Sequence, residues 1–337
     1  MNITFTEISE DWQVTLIKHS LADHQVKIFA QTAQEIDIEA LAETEILCPF
    51  IYSACDQTLL QKLPRLKAIA TNSTGFDHID LAYCKANQLS VFNVPHYGEH
   101  TVAEFTFALL LAISRKIIDS VNRVKSGSFD FTGLRGFDLA NKTMGIIGFG
   151  NIGQKFAKMC KGFDMQVNVY DIAAHQLHQE ADSMGVNWVS LEQIFTASDI
   201  ISLHLPLTSE TKHIIDHAAI QKMQAGVILL NTSRGDLIDS TALLAGLHSK
   251  KVAFAGLDVL EGESLIKGEI ELLHEQTKRA SELQILLEDH VLIQDKRVFV
   301  TPHNAFNTQD ALARILTTTV SNIDNFVSQI KSDNQII

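Results

Sequence analysis

The stretch Lys142-Thr-Met-Gly-Ile-Ile-Gly-Phe-Gly-Asn-Ile-Gly153 constrains this 337-residue chain more than any other. An apolar run, Thr143–Ile147, leads straight into G-x-G-x-x-G at Gly148, Gly150 and Gly153, and the residues from Ile152 to Cys160 are patterned as an amphipathic helix. A second apolar run, Val167–Tyr170, ends at Asp171, eighteen residues past the last glycine. Strand, glycine turn, helix, strand and acid in that order make a βαβ unit suited to a dinucleotide. Gly148 permits the tight turn, Gly150 lets backbone amides approach a pyrophosphate, and Gly153 allows close helix–strand packing. The unpaired amides of the helix N-terminus face the phosphates. Asp171 accepts from the ribose 2′- and 3′-hydroxyls and repels a 2′-phosphate. Ile172, Ala173 and Ala174 offer no Arg to hold that phosphate, so NAD is favoured over NADP. The bland alternative, glycines that only make a turn, has strand, helix and acid weighing against it.

The length predicts two domains, and the pattern predicts α/β architecture in both. In the first 95 residues, Val26–Phe29, Glu45–Cys48, Leu66–Ala70 and Leu89–Val94 read as buried strands. Helices are expected from Ser9 (as N-cap) to His19, from Thr58 to Lys62 and from Ile79 to Ala86. A change comes at Pro95, before a long helix, Thr101–Arg115, that is apolar almost all round and should be buried between elements or subunits. Seven of the 17 glycines fall between Lys125 and Gly153, a loop feeding the glycine turn. The second alternating series has strands at Thr143–Ile147, Val167–Tyr170, Val186–Val189, Ile200–Leu205, Val227–Leu230 and Val252–Leu257, with helices starting near Ile152, Leu191, His217 and Thr241. Ser190-Leu-Glu-Gln193 is a capping-box pattern. Residues 262–297 break the rhythm with a charged, Leu- and Glu-rich stretch expected to be helical and partly exposed, and a final helix runs from Thr308 to about Ile330.

Composition narrows the partners. The formal charge of −13 and pI near 5.5 argue against nucleic-acid binding and against docking on an anionic membrane. Hydrophobic residues make up 46%, enough for substantial cores. The four cysteines, Cys48, Cys55, Cys84 and Cys160, form no C-x-x-C, so they read as reduced, buried thiols of a cytoplasmic protein, with neither disulfide frame nor metal site. The N-terminus carries acids where a secretory signal needs bases. The most apolar run, Phe107–Ile113, is too short for a bilayer, which takes roughly 20 residues.

Titratable residues follow the later strands, where ligands of doubly wound sheets bind. Leu229-Leu-Asn-Thr-Ser-Arg-Gly235 puts Arg234 past one strand, Val252–Asp258 puts Asp258 past the next with Glu263 five residues on, and Phe299-Val-Thr-Pro-His303 puts a histidine past a third. These suit oxidation of an alcohol beside a carboxylate. A His takes the hydroxyl proton, an acid orients it and raises its pKa, and an Arg fork grips the carboxylate and polarises the carbonyl. Spacing alone leaves the bland reading open, since 14 histidines are present and each charge could be a surface residue.

Read together, these residues resemble the D-isomer-specific 2-hydroxyacid dehydrogenase family, closest to its D-lactate dehydrogenase branch. The resemblance rests on Asn93-Val-Pro-His-Tyr-Gly-Glu-His-Thr-Val-Ala-Glu104, Gly145–Gly153, Leu203-His-Leu-Pro-Leu207, Asn231-Thr-Ser-Arg-Gly235, Gly256-Leu-Asp258 with Glu263, and Thr301-Pro-His-Asn-Ala-Phe306, in family order along nearly the whole chain. It implies a flavodoxin-like substrate domain of residues 1–99 and 302–337, a Rossmann NAD domain of residues 100–301, and a cleft between them that closes on binding. It implies His303 as acid/base, Glu263 as its orienting partner and Arg234 as substrate anchor. Asn151 and Ile152 are expected at the pyrophosphate and Asp171 at the ribose. Leu205, Pro206 and Thr211 are expected at the adenosine side, although Thr211 stands where the family often has Asn. Thr232, Ser233, Arg234 and Asp258 are expected at the nicotinamide half. The helix from Thr101 is expected to help form a homodimer, or else to serve as an interdomain core element.

The same resemblance assigns amides of Thr74 and Gly75 to the substrate carboxylate. Tyr97 and Phe306 become pocket walls that favour a small C2 substituent such as methyl, unless they are hinge-packing aromatics. No regulatory domain follows residue 337, which speaks against a regulated phosphoglycerate dehydrogenase, and Glu263 speaks against a formate dehydrogenase. The leading expectation is NAD-dependent reduction of pyruvate to D-lactate. The alternatives are a broader 2-oxoacid reductase (glyoxylate, hydroxypyruvate or a branched acid) and a non-catalytic NAD(H)-sensing protein.

Overall fold

Short β-branched runs become parallel strands in two separate sheets. The computed structural model describes residues 1–173, 181–263 and 280–337. Backbone proximity divides the chain into one unit of Met1–Tyr97 with Asn307–Ile337 and another of Gly98–Phe306.

In the first unit β1 (Asn2–Phe5), β2 (Gln25–Ile28), β3 (Ile46–Cys48), β4 (Ala68–Ala70) and β5 (Ser90–Phe92) form a parallel sheet in the order β2-β1-β3-β4-β5. Successive side chains point to opposite faces. Leu47, Ile69 and Val91 therefore pack with Leu59, Leu60 and Cys84, while Ile46, Cys48 and Phe92 pack with Ile17, Leu316 and Ile323. The last two lie on the helix Gln309–Val327, capped by Thr308, whose apolar stripe recruits the chain's C-terminal segment to this sheet.

In the second unit β6 (Thr143–Ile147), β7 (Gln166–Tyr170), β8 (Asn187–Trp188), β9 (Ile200–Leu203), β10 (Val227–Asn231), β11 (Val252–Leu257) and β12 (Val298–Val300) form a parallel sheet in the order β12-β11-β10-β9-β6-β7-β8. The helix Glu99–Ser114 packs into this unit's core, with Phe107 and Phe156 in edge contact at 6.0 Å. Both sheets are open and parallel, the doubly wound class the alternation predicts.

Several local expectations shift. The first helix runs Asp11–Ser20, so Ser9 is not its cap; Gln13 Oε1 accepts from the amide of Glu10 and closes the first turn there. Ser190 and Gln193 do form the expected capping box at Leu191–Ala197. β1 has no counterpart in the sequence reading, because Thr4 interrupts its apolar letters. Thr4 is nonetheless buried, its hydroxyl satisfied by that of Thr44 at 2.8 Å. Helices Ile38–Leu41 and Ile117–Lys125 have no counterpart in the sequence pattern either. Of the stretch 262–297, the helix Ala280–Gln294 is helical and partly exposed, with Leu287 in solvent and Leu292 buried, whereas 264–279 lie outside the described residues, as does Ala174. All four cysteines are buried free thiols, and burial raises their pKa values, that of Cys84 to about 11. Among the described residues no helix is long and apolar enough to cross a membrane.

The order 2-1-3-4-5 of the first sheet puts its switch point between β1 and β3, where anions bind in folds of this kind. Here the chain supplies its own. Glu7, in the left-handed region at φ 63°, accepts the amides of Phe50, Tyr52 and Ser53 at 3.1, 3.0 and 3.2 Å and the Ser53 hydroxyl at 2.5 Å. Glu7→Ala should destabilise the first unit by about 2–4 kcal/mol, because it orphans several donors at once; thermal unfolding within about 0.5 kcal/mol of the parent would refute this clamp.

Candidate active site

β6 and β9 are neighbours in the second sheet, but the chain leaves β6 toward β7 and β8 and only later returns to β9. A switch point opens at their carboxyl ends. Gly148 stands there at φ 98°, and a Cβ on it would meet the His204 carbonyl oxygen at 2.2 Å, so only glycine fits the turn. A Cβ on Gly153 would meet the Gly148 oxygen at 2.2 Å, which is the close helix–strand packing the pattern calls for. In front of Gly150 nothing lies within 4 Å of a built Cβ, and the helix Asn151–Gly162 starts behind it with Asn151 exposed and Ile152 half-buried. Asp171 follows β7. Its Oδ2 accepts from the Phe149 amide and its Oδ1 from that of Ala173, both at 2.8 Å, which ties the acid to the glycine turn. Open backbone at a helix N-terminus beside a carboxylate fits a dinucleotide's pyrophosphate and ribose.

The loop after β9 holds Leu205, half-buried against Gly148, and Pro206, whose carbonyl accepts the Thr211 hydroxyl at 2.7 Å. That hydroxyl also accepts the Thr208 amide, so Thr211 is engaged in closing its own loop. After β10, Asn231 folds the chain back by accepting from the Ser233 amide and donating to the Arg234 carbonyl. The Thr232 hydroxyl pairs with that of Thr106 at 2.7 Å, and the Ser233 hydroxyl donates to the Leu203 carbonyl at 2.8 Å. Arg234 leaves this turn half-buried. A Cβ on the next residue, Gly235, would lie 1.9 Å from the Leu260 oxygen, so glycine is what lets the Arg234 turn press against the loop carrying Glu263.

Asp258 follows β11, is 1% exposed, and organises the histidine loop. Its carboxylate accepts the Thr301 hydroxyl at 2.5 Å and the amides of Asn304 and Ala305 at 2.8 and 2.7 Å, while its carbonyl accepts the His303 amide at 2.9 Å. His303 sits between at φ 51°, a left-handed conformation costing about 1–3 kcal/mol. Three hydrogen bonds to a buried carboxylate, each worth roughly 1.5–3 kcal/mol, outweigh that strain. The imidazole Nδ1 lies 3.1 and 3.2 Å from the two Glu263 oxygens, both side chains remain about one-fifth exposed, and the Phe306 ring lies edge-on at 6.3 Å. His303 and Glu263 thus meet. Arg234 issues from the neighbouring strand end, since Asn231 pairs with Leu257 and Leu257 with Val300.

In the first unit, Thr74 and Gly75 follow β4. The Thr74 hydroxyl donates to Val94 O at 2.6 Å, its carbonyl accepts Asn93 Nδ2 at 2.8 Å, and the Gly75 carbonyl accepts the Ser73 hydroxyl at 2.7 Å. The loop is pinned through its carbonyls and side chains, which leaves the amides of Thr74 and Gly75 without a hydrogen-bond partner among the described residues. Tyr97 is half-buried and its carbonyl accepts Arg314 Nε at 2.8 Å.

Residues 107–305 match the family model of the D-isomer specific 2-hydroxyacid dehydrogenase NAD-binding domain. The chain belongs to the D-isomer-specific 2-hydroxyacid dehydrogenase family. It is 34% identical to a D-lactate dehydrogenase of Escherichia coli over 87% of this chain and 86% of that one. It is also 34% identical to an aromatic 2-oxoacid reductase of Clostridium sporogenes, over 83% and 82% of the two chains. The solved structure of a D-lactate dehydrogenase from Aquifex aeolicus, complexed with NAD and lactic acid, superposes with a TM-score of 0.86 at 33% identity, covering 97% and 96% of the two chains. As a family member the chain is an NAD-dependent D-2-hydroxyacid dehydrogenase.

Sequence reasoning missed how this dehydrogenase holds its loops. Glu7 and the carboxylates of Glu261 and Asp289 carry no signal in the sequence, because each acts on residues remote along the chain. Among the described residues no group of three or more His, Cys, Asp or Glu side chains could hold a metal.

Proposed function

We propose that the chain reduces a small 2-oxoacid, pyruvate foremost, to the D-2-hydroxyacid, with His303 as the proton donor. The observation that carries this reading is the 3.1 Å approach of His303 Nδ1 to Glu263. A carboxylate on Nδ1 fixes the tautomer and sets the ring, so that Nε2 donates its proton to the carbonyl oxygen and, in the reverse direction, accepts the hydroxyl proton. Bound NADH supplies the hydride. The planar fork of Arg234 grips the substrate carboxylate and polarises the carbonyl. The amides of Thr74 and Gly75 are assigned to the same carboxylate, and Asp258 is assigned to holding the His303 loop. For the cofactor, Gly148, Gly150, Asn151, Ile152 and Gly153 are assigned to the pyrophosphate and Asp171 to the ribose. Leu205, Pro206 and Thr211 are assigned to the adenosine side, and Thr232 and Ser233 to the nicotinamide half.

Tyr97 and Phe306 as pocket walls support a methyl-sized C2 group. The Clostridium sporogenes aromatic 2-oxoacid reductase, as similar in sequence as the Escherichia coli enzyme, supports the second reading of a broader 2-oxoacid reductase. Buried, reduced thiols suit a cytoplasmic enzyme. A homodimer is the assembly we infer. The helix Ile117–Lys125 turns Ile117, Ile118, Val121 and Val124 outward, each close to half exposed, and Phe129 and Phe131 follow at 85% and 84% exposure. So much apolar surface on one short segment suits a partner subunit.

Three measurements test this. In a panel of pyruvate, glyoxylate, hydroxypyruvate, a branched 2-oxoacid and phenylpyruvate followed by NADH loss, pyruvate should lead; another acid ahead by more than roughly tenfold in kcat/KM removes the lactate reading. His303→Ala should lower kcat by roughly 10²–10⁴ while NADH still binds, and parental turnover in that variant would remove the imidazole from the mechanism. Sedimentation velocity should give a dimer mass, and a monomer at micromolar concentration would refute the assembly.

A further inference from the structure

The loop that carries Glu263 is anchored by a second acid that the reaction does not touch. The Gly262 amide, one residue before Glu263, donates to Asp289 Oδ2 at 2.9 Å. Asp289 lies on the helix Ala280–Gln294, is 0% exposed, and has the Ser240 hydroxyl 3.4 Å from its Oδ1. Ser240 turns its own amide to Glu261 Oε2 at 3.1 Å, and the other Glu261 oxygen meets His213 Nε2 at 2.7 Å. Ser240 therefore joins two carboxylates, one through its hydroxyl and one through its amide, while Glu261 and Gly262 are held and Glu263 alone reaches His303.

Packing does not account for an acid at this position. Burying a carboxylate is costly, and an apolar side chain would fill the same space at less expense. The same helix uses Leu286 and Leu292 in just that way, at 8% and 1% exposure. Burial foremost, with Glu261 and Glu288 nearby, pushes the Asp289 carboxyl up to about 6, against the opposing hydrogen bonds from Gly262 and Ser240. It still ionises at neutral pH, where a carboxylate is a strong acceptor for a backbone amide. What an acid offers here and leucine does not is a fixed partner for the Gly262 peptide.

We propose that Asp289 is a positioning residue: by anchoring Gly262 it sets where the Glu263 carboxylate stands against His303. The inference rests on the reading of His303 and Glu263 given above. Misplacement of a catalytic partner by about 1 Å costs up to about a hundredfold in rate. Asp289→Ala should accordingly lower kcat for 2-oxoacid reduction by roughly ten- to a hundredfold, with KM and NADH affinity within about threefold of the parent. Asp289→Asn, whose amide oxygen can still accept from Gly262, should bring kcat back to within about threefold. In a double variant with Glu263→Ala, Asp289→Ala should add less than about twofold, because it acts only through Glu263. If the alanine variant does not fold, Asp289→Leu fills the space without an acceptor and is read in the same way. A folded Asp289→Ala or Asp289→Leu with parental kcat, or a double variant whose losses multiply, overturns the inference. Parental kcat in Glu263→Ala would instead overturn the assignment of Glu263 itself.

Discussion

The buried carboxylate of Asp258 is the interaction on which the site depends. It binds a hydroxyl and two amides of the Thr301–Ala305 loop, and its own carbonyl takes the His303 amide. A histidine at φ 51° would otherwise relax to an ordinary conformation and carry its ring away. Everything assigned to the imidazole presupposes that fixed backbone. Its partner carboxylate is held in the same manner, by hydrogen bonds to residues just before it, so two independently anchored loops meet at a pair about 3 Å apart.

The two sheets share a plan and treat their switch points oppositely. In the second unit, Gly148 makes the tight turn and Gly150 leaves open backbone at a helix N-terminus, as an anionic cofactor needs. In the first unit, Glu7 already occupies the corresponding amides, whereas one loop further along the amides of Thr74 and Gly75 have no hydrogen-bond partner among the described residues. A parallel doubly wound sheet offers several loops at its carboxyl edge, and side-chain carboxylates decide which of them remain available.

Legibility followed the range of the interactions. The strands from Thr143 to Leu257 could be read because a buried parallel strand is a continuous apolar run, and the Ser190 capping box because its partners lie three residues apart. The Gly148–Gly153 turn was legible for the same reason. β1 was not, because the burial of Thr4 depends on a hydroxyl 40 residues away. The cap of the first helix is Glu10 and not Ser9, because Glu10 and Gln13 close the first turn reciprocally. The residues Arg234, Glu263 and His303 could be named from their places after strand ends, but no spacing rule says which nitrogen faces which oxygen.

The sequence by itself determined the fold class, the cofactor and the family, because each is written in local periodicity and contiguous motifs. The tertiary structure alone decided that His303 and Glu263 meet and that Asp258 turns its carboxylate to the histidine loop. It also decided that Glu7 fills one switch point and that Asp289 stands under Gly262. The physical reason is that hydrogen bonds between distant segments depend on distance and direction in space, and these are set only once both sheets have aligned the carboxyl ends of their strands.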